Sequence, residues 1–140
     1  MSRPGIDIPG LGTGLAILRE GKLLLYKRVK APEAGFWNIV GGKVDHMEPA
    51  ETAARREAHE ETGLDIGAID FLCTTEQIIE ADRQHWISLI YVTDDFSGQP
   101  ALTEPDKLSD FGWFGRSEMP EPLSAFAQAA IAHLTDDELR

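Results

Sequence analysis

Cysteine is nearly absent: Cys73 is the only one in 140 residues. No internal disulfide can form, the usage fits a reducing compartment, and the fold has to rest on its core. A chain of this length buries enough surface to manage without staples, and it reads as one domain, 1–140. Long apolar runs are missing too. The opening SRPGIDIPG lacks the apolar centre of a secretory leader, and no stretch approaches the length of a bilayer span. A cytoplasmic protein with no membrane partner is expected. Positive charge is scarce, with 13 Lys and Arg against 24 Asp and Glu, for a net charge of −11. Binding a nucleic-acid polymer calls for clustered Lys and Arg, so the balance argues against that class. A small phosphorylated ligand stays open, because cations held by carboxylates turn an acidic surface into a phosphate site. His46, His59, His85 and His133 show no ligand spacing with one another or with Cys73, which removes the usual zinc patterns.

What is present is a series of short strands around one strong helix. Met1–Gly10 holds two prolines and two glycines and reads as an irregular or extended arm. Leu11–Leu18 and Lys22–Arg28 read as a hairpin turned at Glu20-Gly21. Val29–Gly35 is a loop, and Phe36–Val40 a short strand running into Gly41-Gly42. A strand of open limits lies within Ile66–Ile79. His85–Val92, rich in β-branched and aromatic residues, and Leu108–Phe114 are two more. Leu123–Leu134 reads as an amphipathic helix. Strands on both sides of a central helix, with a helix at the end, give an α/β or α+β class: a mixed sheet between two helices.

The central helix is Pro49–Thr62. Proline suits its first position, and Gly63 suits a left-handed C-terminal cap. At ~100° per residue, Ala50, Ala53, Ala54 and Ala58 form one narrow small face. Glu51, Thr52, Arg55, His59 and Thr62 fall opposite, on the natural solvated side. Glu57, Glu60 and Glu61 continue the alanine face instead. Like charges at this spacing destabilise a helix by about 0.2–0.5 kcal/mol, and anions near its C-terminus oppose the macrodipole. A solvated charge run does not explain that placement; hard cations between the carboxylates do, since Mg²⁺ and Mn²⁺ take oxygen ligands.

In register, Gly42, Glu48, Arg56, Glu57, Glu60, Glu61, Gly63 and Leu64 fit the pattern G-x5-E-x7-R-E-U-x-E-E-x-G-U, where U is a bulky aliphatic residue. Ala58 departs from it. The stretch resembles the Nudix box. The resemblance implies the Nudix α/β/α sandwich and hydrolysis of a nucleoside diphosphate linked to a further group. It implies that Glu57, Glu60 and Glu61, with the carbonyl of Gly42, hold Mg²⁺ or Mn²⁺, and that a Glu48–Arg56 salt bridge supports them. Either Glu60 or Glu61 would accept a proton from the attacking water. RPG, GFWNIVGGKV and EPDKLSDFGWF extend the resemblance to a MutT-like subgroup acting on nucleoside triphosphates. Hydrolysis of ADP-ribose or a nucleotide sugar is the alternative, and the lack of proline in Asp70–Glu80 weighs against it. A non-catalytic nucleotide-binding module is a third reading; it usually goes with loss of box carboxylates, and none is lost. Homodimers are common among similar proteins, so one is expected here.

Outside the box, Glu104 is the best match to a loop glutamate that adds a ligand or a base, with Asp106 second; a solvated loop acid is the other reading. Arg28 resembles a phosphate-binding arginine at the end of a second strand, or is an exposed strand-end cation. Lys43 follows the glycine pair and belongs near the substrate through its backbone at least. Phe36 or Trp37 would stack on a base, or belong to the core.

Overall fold

The hairpin read between Leu11 and Arg28 forms, and its turn residues explain its twist. Glu20 and Gly21 both take positive φ, 51° and 78°, the geometry that matches a two-residue turn to the right-handed twist of its strands. The computed structural model describes all 140 residues. In chain order they form β1 (Gly10–Arg19), β2 (Lys22–Arg28), β3 (Trp37–Asn38), β4 (Val40–Lys43), α1 (Ala50–Thr62), β5 (Asp65–Ile66), β6 (Asp70–Ile79), β7 (Gln84–Thr93), β8 (Phe96–Ser97), β9 (Leu108–Phe114) and α2 (Ala125–His133).

β1 is long enough to serve two groups of strands. Gly10–Ile17 runs parallel to β7, and Gly12–Leu15 lies antiparallel to β4. The end of β1 pairs with the start of β2, which also carries β3 and β9. β6 closes the far side against β7, while β5 and β8 form a separate short pair. Side chains alternate faces along a strand. Leu15 and Ile17 of β1 therefore join Leu24, Tyr26, Val40 and Tyr91 under Ala54 and Ala58 of α1. Ala16 and Leu18 face the other way, with Leu25, Ile39, Ile90 and Val92, against Ala127 and Ala130 of α2 and Leu134 just beyond it. Burial on both faces accounts for the nearly unbroken apolar run of the hairpin. The layers are helix, mixed sheet, helix. No helix is long and apolar enough to cross a membrane.

Several local expectations change. Of the two readings of the arm the irregular one holds, as a tight turn: Arg3 binds Asp7 through backbone and side chain, and Gly5 at φ 86° lies against the Trp86 indole. Pro49 stands just before α1 with extended ψ 140°, so the helix begins at Ala50. Thr62 is buried, not solvated, because its hydroxyl donates to Ala58 O and accepts from Leu64 N. The segment Ile66–Ile79 splits into β5 and β6. α2 starts at Ala125, two residues later than read, with the Ser124 hydroxyl accepting from Ala127 N.

Candidate active site

The glycine pair into which the expected strand Phe36–Val40 runs lies inside β4, paired with Thr13 and Gly14 of β1. Neither glycine has a positive φ; Gly41 is required by close approach to backbone, and Gly42 leaves room for the Glu57 carboxylate. A Cβ on Gly41 would sit 2.3 Å from the Thr13 carbonyl oxygen, and one on Gly42 2.4 Å from the carboxylate carbon of Glu57. The bare backbone thus lets α1 bring its carboxylates onto the strand. The Gly41 N–H donates to Glu61 Oε1 at 2.8 Å.

Arg56 organises the other carboxylates. Its Nε and Nη2 grip Glu48 at 2.9 and 3.0 Å, and Nη1 reaches Glu57 at 3.0 Å and, more loosely, Glu60 at 3.5 Å. Nη2 also donates to the Lys43 carbonyl at 3.3 Å. Paired planar forks of this kind combine strength with fixed geometry. Glu48 additionally accepts from Asp45 N at 3.1 Å, which closes the loop before the helix. Gly63, in the left-handed region at φ 78°, ends the helix by donating to His59 O.

The three box glutamates are not alike. Glu61 is buried, and burial, followed by the charges of Glu57 and Glu104, pushes its carboxyl up to about 8. Glu57 is raised by burial against the lowering effect of Arg56. Glu60 is exposed, so of the expected trio only Glu57 and Glu61 leave the solvated side. Glu104 is half-buried, near enough to raise Glu61, and paired with Lys107 Nζ at 3.4 Å. Lys107 also feels Glu57, so it stands over the cluster as a cation that sequence reading missed.

The donor set suits a hard divalent cation. It offers only oxygens, and burial first, then the neighbouring carboxylates, leaves Glu61 hard to ionise without added positive charge. The side chains do not converge as a ligand cage in this structure. Glu57 and Glu60 turn toward Arg56, and Glu61 toward Gly41.

Beside the cluster lies a cleft of about 340 Å³, lined by Gly41, Gly42 and Lys43 at one end. Arg28 lines it too, its Nε held by Pro32 O at 2.7 Å and its guanidinium disfavoured by burial. The far walls come from Pro4 and Ile6 of the arm, Gln84, Trp86 and Ser88 of β7, Gln77 of β6, and Asn38 and Phe126. Trp37 is not among them. Its ring meets Phe114 edge-on at 5.3 Å and packs on the α2-side core, in line with the core alternative of the two readings. Asn38, its neighbour on the opposite face, is the β3 side chain that reaches the cleft. Alternation with the core-facing, half-buried Trp37 was the available signal. Gln84, Trp86 and Ser88 share one face of β7 by the same rule. A larger concavity, about 770 Å³, lies at the other end of the sheet among Glu20, Asp95 and Asp137 and contains none of these groups.

Residues 9–134 match the NUDIX domain family. The chain belongs to the Nudix family of hydrolases. A crystal structure of a MutT NUDIX hydrolase from Burkholderia pseudomallei superposes with a TM-score of 0.87 at 42% identity, covering 91% of this chain and 98% of that one. The oxidized purine nucleoside triphosphate hydrolase of Danio rerio is 31% identical over 108 residues, 77% of this chain and 67% of that protein. The ADP-ribose pyrophosphatase of Methanocaldococcus jannaschii is 30% identical over 119 residues, 84% of this chain and 66% of that protein. Of the NAD-capped RNA hydrolase NudC of Vibrio parahaemolyticus, the chain spans only 46% of the length. Nudix hydrolases act on nucleotide diphosphates linked to a further group and use divalent cations. The relatives' names differ in that further group, so membership fixes the reaction class and leaves the substrate to the cleft.

Proposed function

We propose that this Nudix hydrolase uses Mg²⁺ to convert a nucleoside triphosphate to the monophosphate and pyrophosphate. The carrying observation is the continuity of the nucleoside-sized cleft with Gly41–Lys43 at the carboxylate cluster. A polyphosphate reaching the carboxylates would place its base against Asn38, Gln84 and Trp86. Asn38 supports a base contact of defined sense. Ser124 Oγ donates to its Oδ1 at 2.6 Å, which leaves the amide N–H₂ as the free group. A free donor favours a base edge with an acceptor, such as guanine O6 or N7.

In this reading Glu57, Glu60, Glu61 and the Gly42 carbonyl hold Mg²⁺, with Glu48 and Arg56 supporting them. The chemistry supplied by the bound ion is neutralisation of phosphate charge and a more acidic water. Glu104, Glu60 or Glu61 accepts the proton, and Arg28 and Lys43 bind phosphate oxygens. The ligand is a free nucleotide rather than a polymer, as the net charge of −11 favours; the protein is read as cytoplasmic, and as a homodimer by the family resemblance.

The test is a panel of the common and oxidised nucleoside triphosphates, ADP-ribose, nucleotide sugars and triphosphorylated RNA, with products identified. Pyrophosphate release from a triphosphate is expected, with an Asn38→Ala variant showing a raised KM. Turnover confined to ADP-ribose, sugars or RNA overturns the proposal.

A further inference from the structure

The loop before β9 carries Glu104, and its position depends on the C-terminal end of α1. A helix ends with carbonyls that have no partner within it. Here two of them are satisfied by the loop: the Thr103 hydroxyl donates to Glu60 O, and Ala101 N donates to Thr62 O at 3.0 Å. The Tyr26 hydroxyl, on the strand beneath, donates to Ala101 O at 2.8 Å and ties the same loop to the sheet. The Thr103 methyl also lies over Gly63, 3.6 Å from where a Cβ there would stand, an ordinary van der Waals separation.

Glu60 is thus tied twice to the site. Its carboxylate is a proposed ligand, and its backbone oxygen is the anchor for the residue next to Glu104. We infer that Thr103 is a positioning residue that sets Glu104 against Glu61 by capping the carbonyl of Glu60. The inference rests on the reading above that Glu104 works in the site. Thr103 itself is exposed, so replacing it leaves the core untouched. Its hydroxyl donates to that one carbonyl, between Ala101, which is tied to α1 and β2, and the turn in which Glu104 O accepts from Lys107 N and Leu108 N. Loss of that bond frees the loop at the point nearest Glu104. A misplacement of about 1 Å in a catalytic group costs up to roughly 100-fold in rate.

The experiment is a double-mutant cycle. Thr103→Val keeps the shape and removes the donor; Thr103→Ser keeps the donor and removes the methyl. Thr103→Val is expected to lower kcat by roughly 10-fold or more with KM nearly unchanged, and Thr103→Ser to restore most of it. In a Glu104→Gln background Thr103→Val has nothing left to misplace, so it should cause little further loss. Independently of turnover, amide hydrogen exchange over residues 101–108 of the unliganded protein should quicken in Thr103→Val alone. If Glu104→Gln retains wild-type kcat, the assignment of Glu104 fails and Thr103 falls with it. If Glu104→Gln is impaired but Thr103→Val is not, or if the two losses multiply, the positioning role is overturned while Glu104 stands.

Discussion

Glu61 is the carboxylate whose ionisation the fold resists most, and this gives a stability prediction with a definite sign. Its ordinary value of 4.5 is pushed up to about 8, first by burial and then by Glu57 and Glu104. Between those two values the unfolded chain has released a proton that the folded chain keeps. Folding therefore loses about 1.4 kcal/mol per pH unit across the window. The contribution is fully present below 4.5 and is lost as pH rises through 8. Across the window it amounts to something on the order of 5 kcal/mol, comparable to the whole margin of a small domain. Glu61→Gln keeps the shape and an acceptor for the Gly41 N–H but has nothing to ionise. Urea unfolding in chelator should show wild type and Glu61→Gln close together near pH 5. The variant should become the more stable by several kcal/mol near pH 8.5. Divalent cation added at high pH should raise wild type toward the variant, because positive charge restores the ionised form. Parallel pH profiles for the two proteins, without cation, would refute the reasoning.

Two further substitutions test the geometry. Gly42→Ala puts a methyl where the Glu57 carboxylate lies; the flexible side chain yields and the fold survives. Steady-state kinetics should show a loss of roughly 100-fold with a melting temperature close to wild type. Arg56→Gln removes the fork on Glu48 and the contact to Glu57. It should cost about 1–3 kcal/mol of stability in denaturant melts, and an unchanged midpoint would mean that the loop from Asp45 to Glu48 holds itself.

The parts of the fold that could be read from sequence are those whose causes are local. β2 and β9 run over the segments expected, Lys22–Arg28 and Leu108–Phe114; for β2 the apolar run Leu23–Tyr26 follows directly on the Glu20-Gly21 turn. Gly63 marks the end of α1 because only a left-handed cap is needed at that point. The reason for Gly41-Gly42 was not legible, since it is the distance to Thr13 on one strand and Glu57 on the helix. The box carboxylates were visible through their spacing, but the exposure of Glu60 was not, since helical angle alone does not show where the sheet ends. The cleft was the least legible part. Gln77, Gln84, Trp86 and Asn38 come together only through the parallel pairing of β1 with β7 and the edge position of β6.

The site also explains why residue 56 is an arginine. Each carboxylate of the cluster already has a partner: Glu61 has the Gly41 N–H, Glu104 has Lys107, and Glu48, Glu57 and Glu60 share Arg56. Ligands committed to a cation must leave those partners without unravelling what the partners support. The guanidinium divides the task. Nε and Nη2 are used on Glu48 and the Lys43 carbonyl, which fix the loop before α1, and only Nη1 is spent on Glu57 and Glu60. Releasing both glutamates therefore costs the contacts of one nitrogen and leaves the bidentate grip intact. A lysine has one nitrogen for all of these acceptors, so holding Glu48 and freeing Glu57 would compete at the same atom.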